Sequence, residues 1–242
     1  MKTIDTHTTF NFEQGETLLV NKPLDWTSFD VVNKIRYSSG IRKVGHAGTL
    51  DPRASGLLIV CIGRKATRQI DTYQGFDKVY EGSFYLGART ASFDAETEIL
   101  ETFDISHITA EDIVKKSQTF LGVSQQVAPI YSALKVNGTP MYKSARKGIA
   151  VKPKTRMVRI EAFDITKIEL PYIHFRIHCG KGTYIRSIAN DLGEALGVGA
   201  YLASLRRTKI GEFDVKDAWE LPILVTALKA QKEKNKKEKE EK

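Results

Sequence analysis

Residues 43–56 read KVGHAGTLDPRASG, with Asp51 between Leu50 and Pro52 just ahead of the apolar run Leu57 to Ile62. A carboxylate at such a turn is a candidate nucleophile or base, and glycines 45, 48 and 56 permit tight turns or close approach to a ligand. The same residues also fit a bland structure, in which Asp51 caps a helix that Pro52 opens and His46 is a satisfied structural histidine. Arg186 is the second unusual residue. It falls in the first turn of a helix predicted to begin near Thr183, where the helix dipole disfavours a cation, so it calls for a carboxylate or phosphate partner unless it points into solvent. Basic residues cluster three times: Lys143, Arg146 and Lys147; Lys152, Lys154, Arg156 and Arg159; Arg206, Arg207 and Lys209. Tyr131 and Tyr142 accompany the first cluster, and basic residues interleaved with aromatics suit a single-stranded or looped nucleic acid.

The composition supports an anionic partner. The chain has 242 residues, and 37 Lys+Arg against 29 Asp+Glu leave a formal charge of +8. A 41% hydrophobic content is enough for a packed core. The Leu57 to Ile62 run is too short to span a bilayer, the N-terminal residues have no signal-peptide core, and Cys61 and Cys179 cannot build a disulfide framework. The expectation is a cytoplasmic protein that binds nucleic acid rather than a membrane.

Several chemistries are argued against. Gly45 to Gly56 lacks the ending of a phosphate-binding loop, Gly197-Val198-Gly199 is a broken dinucleotide fingerprint, and no GxSxG occurs. His174 and His178 alternate on a predicted strand, which sets them about 13 Å apart, too far to share an ion. The expected chemistry uses no metal and no cofactor.

The elements that must position these residues are of mixed type. Gly15–Val20 reads as a strand, and Thr27 with Asp30 makes a capping box before a helix ending near Gly40. Leu57–Ile62 reads as a buried strand, and Lys78–Leu86 alternates with Tyr80 on its apolar face, by default a core tyrosine. Thr109–Leu121 is predicted helical, Ile173–Cys179 an alternating strand, and Ile185 to Leu196 a helix. No βαβ rhythm appears, so the class is α+β, with one compact domain over residues 15–225. The last fourteen residues, KAQKEKNKKEKEEK, read as a frayed, solvated helix end, with an RNA-grazing tail as the alternative.

Five stretches in order give a resemblance. GHAGTLDPRASG resembles the signature of the TruB family, the bacterial tRNA pseudouridine-55 synthases. LLVNKPLDWTSFDVVNKIR resembles the family's Lys-Pro segment, DKVYEGSFYLGARTASFDAET its tyrosine strand and acidic turn, APIYSALKVNGTPMYKSARKGI its RNA-gripping insertion, and HCGKGTYIRSIANDLGEALGVGAYLASLRRTKIGEF its arginine motif. The resemblance implies a pseudouridine synthase fold: a central mixed, mostly antiparallel sheet flanked by helices and loops. It implies a catalytic domain over 1–228 with a thumb insertion at about 125–154. Composition makes 229–242 a charged, disordered tail, and the sequence departs from the family in that most of the C-terminal PUA-type domain is expected to be missing.

The implied function is isomerisation of uridine 55 in the tRNA T-loop by base flipping. Asp51 is the implied catalytic carboxylate, with Arg186 as its cationic partner. Tyr80 stacks on the flipped uracil and assists deprotonation at C5. Tyr184 and Leu205 line the pocket, His46 enters the emptied space in the loop, and Lys22 and Pro23 belong to the substrate-binding set. Lys143, Arg146, Lys147, Lys152, Lys154, Arg206 and Arg207 would follow the RNA backbone. The implied partner is the T-arm of tRNA, engaged by a monomer without guide RNA, obligatory protein partner or membrane. The competing readings are a non-catalytic tRNA-folding helper and a guide-RNA-dependent synthase.

Overall fold

The structure, a computed structural model, describes residues 9–130, 135–136, 139–140 and 154–240. In chain order its elements are β1 (Glu16–Lys22), α1 (Ser28–Ser39), β2 (Val44–Ala47), β3 (Ala54–Ile62), α2 (Arg64–Thr67), α3 (Ile70–Gly75), β4 (Lys78–Leu86), β5 (Ala88–Thr90) and β6 (Ile99–Thr102). They continue with α4 (Ala110–Gln118), β7 (Gly122–Val127), β8 (Lys135–Val136), β9 (Thr139–Pro140), β10 (Thr155–Glu169), β11 (Tyr172–Cys179), α5 (Ile185–Leu196), β12 (Ala200–Ile210), β13 (Phe213–Asp214), β14 (Trp219–Glu220) and α6 (Leu221–Glu240). The chain divides into two compact units where the sequence suggests one: residues up to Val79 with those from Arg206 onward, and Tyr80–Leu205.

In the first unit β1 lies between β3 and β14, antiparallel to the former and parallel to the latter, which makes the sheet mixed. The apolar run of β3 is buried on both faces. Leu58, Val60 and Ile62 join Val31, Val32 and Ile35 of α1 and Trp219, Leu224 and Leu228, whereas Leu57, Ile59 and Cys61 join Leu19, Ala47 and Ile210. The predicted Thr27–Asp30 capping box is present, and Gly40 closes α1 with φ of 73°. Helix α6 continues through Glu240, so residues 229–240 form the helix end that the sequence suggests and are not a disordered tail. Lys, Glu and Gln are strong helix formers, and Lys236 pairs with Glu240 at 3.5 Å. This part of α6 also reaches back, with Lys232 Nζ donating to the Tyr37 carbonyl at 3.2 Å.

The second unit orders its strands β12, β4, β11, β10, β7, with β12 contributing its first half here and its last half to the other unit. Ile173, Phe175 and Ile177 are buried as the alternation of β11 predicts. Phe84 stacks on Phe175 at 4.2 Å. Strand β10 escapes the sequence reading for a physical reason. A bulge between Ile160 and Ala162 moves its buried positions from Val158 and Ile160 to Phe163, so no single period of two runs through it. Among the described residues no helix is long and apolar enough to cross a membrane.

Candidate active site

Asp51 sits on the connection between β2 and β3. Pro52 opens no helix. Instead the Ala54 N–H donates to the Asp51 carbonyl at 3.0 Å, and the turn leads directly into β3. Side chains from the preceding Lys-Pro segment hold this connection by its backbone. Ser28 Oγ accepts from the Leu50 N–H at 2.9 Å and donates to the Leu50 carbonyl at 3.1 Å. The Pro52 carbonyl accepts from the Asp25 N–H at 2.9 Å and from Lys22 Nζ at 3.5 Å. Lys22 is 0% exposed and also donates to the carbonyls of Pro23 and Trp26. Burial lowers its pKa to about 8, against the opposing pull of the Asp51 charge. Lys22 thus braces the connection that carries Asp51, and the Pro23 carbonyl helps to hold its ammonium.

His46 and Arg207 complete the first unit's share. His46 is half-buried on β2. Its Nδ1 is buried without a hydrogen-bond partner. Burial, and then the Arg207 charge, push its pKa down, so the ring is neutral at pH 7. Arg206 is half-buried, with Nη1 3.4 Å from Ser55 Oγ. Arg207 departs from the RNA-backbone role the sequence suggests: it is 1% exposed, with Nε donating to the Leu57 carbonyl at 2.7 Å and Nη2 to the Gly48 carbonyl at 3.1 Å. The alternation of β12 sends one of two adjacent arginines inward, which a count of basic residues cannot show.

In the second unit Arg186 lies in the first turn of α5 and is 4% exposed. The carboxylate called for by its position includes Asp94, whose Oδ2 is 3.5 Å from Arg186 Nε, and Arg186 Nη1 donates to the Ser92 carbonyl at 3.2 Å. Asp94 is itself fixed by the Ser92 hydroxyl and by the Glu96 N–H at 3.0 Å. The sequence offers Asp94 only as part of an acidic turn. Tyr184 is the N-cap residue of α5. The Gln126 amide clasps its backbone, accepting from the Tyr184 N–H at 2.8 Å and donating to its carbonyl at 3.1 Å. Arg156 lies over the Tyr184 ring at 4.7 Å.

Tyr80 is 8% exposed on β4, and Leu205 is half-buried on β12. The strands carrying them meet at Ser83 and Ser204, whose hydroxyls are 2.7 Å apart. Lys154 is exposed, while Lys143, Arg146, Lys147 and Lys152, with most of the thumb insertion, lie outside the described residues. Gln126, Ser28 and Asp94 are the supporting residues that sequence reasoning missed. Each acts on backbone or charge through the fold, and none stands in a motif of its own.

One unit therefore presents a carboxylate on a clamped loop beside two buried cations, and the other a buried guanidinium anchored at a helix start. The family model described as the N-terminal domain of the TruB family of pseudouridylate synthases matches residues 36–185, and that of the tRNA pseudouridylate synthase B C-terminal domain matches 186–241. The chain belongs to the TruB family. Among its TruB relatives, the tRNA pseudouridine synthase B of Flavobacterium johnsoniae is 47% identical over 222 residues, 89% of this chain and 96% of that protein. That of Chloroherpeton thalassium is 50% identical over 209 residues, 84% of this chain and 86% of the relative. Of solved structures, an H/ACA RNP bound to a substrate RNA containing 2′-deoxyuridine matches with a TM-score of 0.68 at 25% identity, covering 93% of this chain and 56% of that one. The archaeal box H/ACA sRNP Nop10–Cbf5 complex matches with a TM-score of 0.66 at 26% identity, covering 93% and 57%. The chain thus spans a little over half the length of those solved chains. As a TruB family member it is a pseudouridine synthase with the α+β fold the sequence suggests.

Proposed function

We propose that the protein isomerises uridine 55 in the T-loop of tRNA to pseudouridine, acting as a cytoplasmic monomer on the T-arm without guide RNA. The observation that carries this reading is the clamped Asp51 loop, in a chain 47% and 50% identical to two bacterial tRNA pseudouridine synthases B.

The reaction breaks the N-glycosidic bond, turns the detached uracil and joins its C5 to the same C1′. It needs an ionised carboxylate beside the sugar or ring, which is the role of Asp51. The target base lies inside a folded loop and is flipped out before reaction. Tyr80 stacks on the uracil and assists proton loss at C5, Tyr184 and Leu205 bound the base, and His46 fills the space it leaves. Arg186 supplies a fixed positive charge through a planar fork.

The test is incubation of the purified protein with an unmodified T-arm stem-loop and no other RNA. Nucleoside analysis should show pseudouridine, and primer extension after carbodiimide treatment should stop at position 55. Product only on adding a guide RNA would favour the guide-dependent synthase, and binding without product would favour a tRNA-folding helper.

A further inference from the structure

We infer that Arg207 is a positioning residue for this reaction: its buried guanidinium ties together the two ends of the segment that carries Asp51, and it meets no RNA phosphate. The inference rests on the proposed function and deepens it.

Gly48 lies three residues before Asp51 and Leu57 six after it. Their carbonyls accept from Nη2 and Nε of the one planar fork, at 3.1 and 2.7 Å. The two carbonyls are met by two different nitrogens of a rigid planar fork, an arrangement that the single nitrogen of an ammonium does not reproduce. Ser28 holds Leu50 and Lys22 holds Pro52, so Arg207 supplies the outer pair of four anchor points.

Two glycines of the motif lie against residue 207. Gly56 has φ of 104°, and a Cβ there would collide with the Arg207 backbone, so β3 presses flat on β12 at this place. Gly48 has φ of 82°, and the nearest group to a Cβ there is Arg207 Nη1 at 3.5 Å.

Carbonyls orient the guanidinium without cancelling its charge. That charge is accordingly felt nearby, contributing to the lowered pKa of both His46 and Lys22. One side chain thus holds the loop of the reactive carboxylate and adds its charge to the burial that keeps the nearby histidine neutral.

The test compares wild type with Arg207→Lys and Arg207→Gln on the T-arm stem-loop. We expect kcat to fall about a hundredfold in both, as for a displaced reacting group. KM and the salt dependence of binding should stay as in wild type. A raised KM with unchanged kcat, and a salt slope reduced by about 0.7, is the signature of a lost phosphate contact and overturns the inference. Carbon-detected titration of the His46 ring separates charge from fork. Its pKa should rise toward about 6.5 in Arg207→Gln and stay low in Arg207→Lys, whereas an unchanged value in Arg207→Gln counts against the assignment.

Wild-type protein gives a readout that needs no folded variant. Phenylglyoxal should leave Arg207 unmodified with and without RNA, and modification that RNA suppresses would overturn the inference. Absence of pseudouridine from wild type would sink the proposed function alone, since the titration and the phenylglyoxal result still decide the placement of Arg207.

Discussion

Arg186 and Arg207 are both buried cations, one in each unit, and they are held in opposite ways. Arg186 faces the Asp94 carboxylate, which is itself locked by Ser92 and Glu96. Arg207 is held by the carbonyls of Gly48 and Leu57. A carboxylate offsets the charge it binds, whereas carbonyl dipoles fix a guanidinium and leave its charge in place. The difference shows at a distance: the Arg207 charge bears on the pKa of His46 and of Lys22. It also separates what each arginine risks. Removing Asp94 takes a counter-charge from a buried guanidinium, whereas removing Arg207 strands buried carbonyls and frees a loop.

The largest expected effect tests what the comparison presumes, a reactive carboxylate on the clamped loop. Asp51→Asn is isosteric and should cut pseudouridine formation by about ten-thousandfold or more, while T-arm binding in a gel shift stays near wild type. Substantial product from that variant would remove Asp51 from the chemistry. Arg186→Lys comes next. It keeps the charge but cannot span Asp94 and the Ser92 carbonyl as a fork, so turnover should drop about a hundredfold. Wild-type turnover would mean that charge alone suffices in the second unit.

Asp94→Asn sharpens the comparison on the stability side. Breaking a buried pair should cost about 3 kcal/mol in urea unfolding, and adding Arg186→Met should recover a good part of it. No loss in the single variant would show that Arg186 is balanced mainly elsewhere.

The last test concerns Lys22. Its pKa is about 8 in the folded protein against an ordinary lysine's 10.5, so between those pH values the unfolded chain holds more protons. Wild-type stability should therefore climb relative to Lys22→Met as pH rises from about 8 to about 10.5, with no relative slope below that window. A falling difference across the same window would contradict the burial of a strained ammonium.

Much of the scaffold was legible because it rests on local rules. The Thr27–Asp30 box and Gly40 bound α1 as read, and the alternation of Ile173, Phe175 and Ile177 marks the buried face of β11. Residue types alone left Asp51 between helix cap and reactive group, and the turn into β3 removes the first of these. The site's supports were harder to see. Ser28 acts on Leu50 from 22 residues away, and Arg207 on Leu57 from 150. Nothing in the types of Arg206 and Arg207 says which one turns inward. That depends on strand register, and register is a property of the assembled sheet. The bulged strand β10 was illegible for the same reason, since its pairing with β11 breaks the period that a sequence can display.

The first unit is built from two distant stretches of chain, with the whole of the second encoded between them. Its core needs Trp219, Leu224 and Leu228 to cover Val20, Ile35 and Val60. During synthesis the Asp51 connection therefore emerges early and waits. The intervening stretch can fold first, but the outer clamp closes only after Arg207 has left the ribosome, at the entropic cost of a long loop. A chain stalled short of that point would carry the whole GHAGTLDPRASG motif and still lack the arginine that spans Gly48 and Leu57. The clamp on the Asp51 connection is in this sense the last part of the first unit to be assembled, closed only by the stretch that follows the second unit.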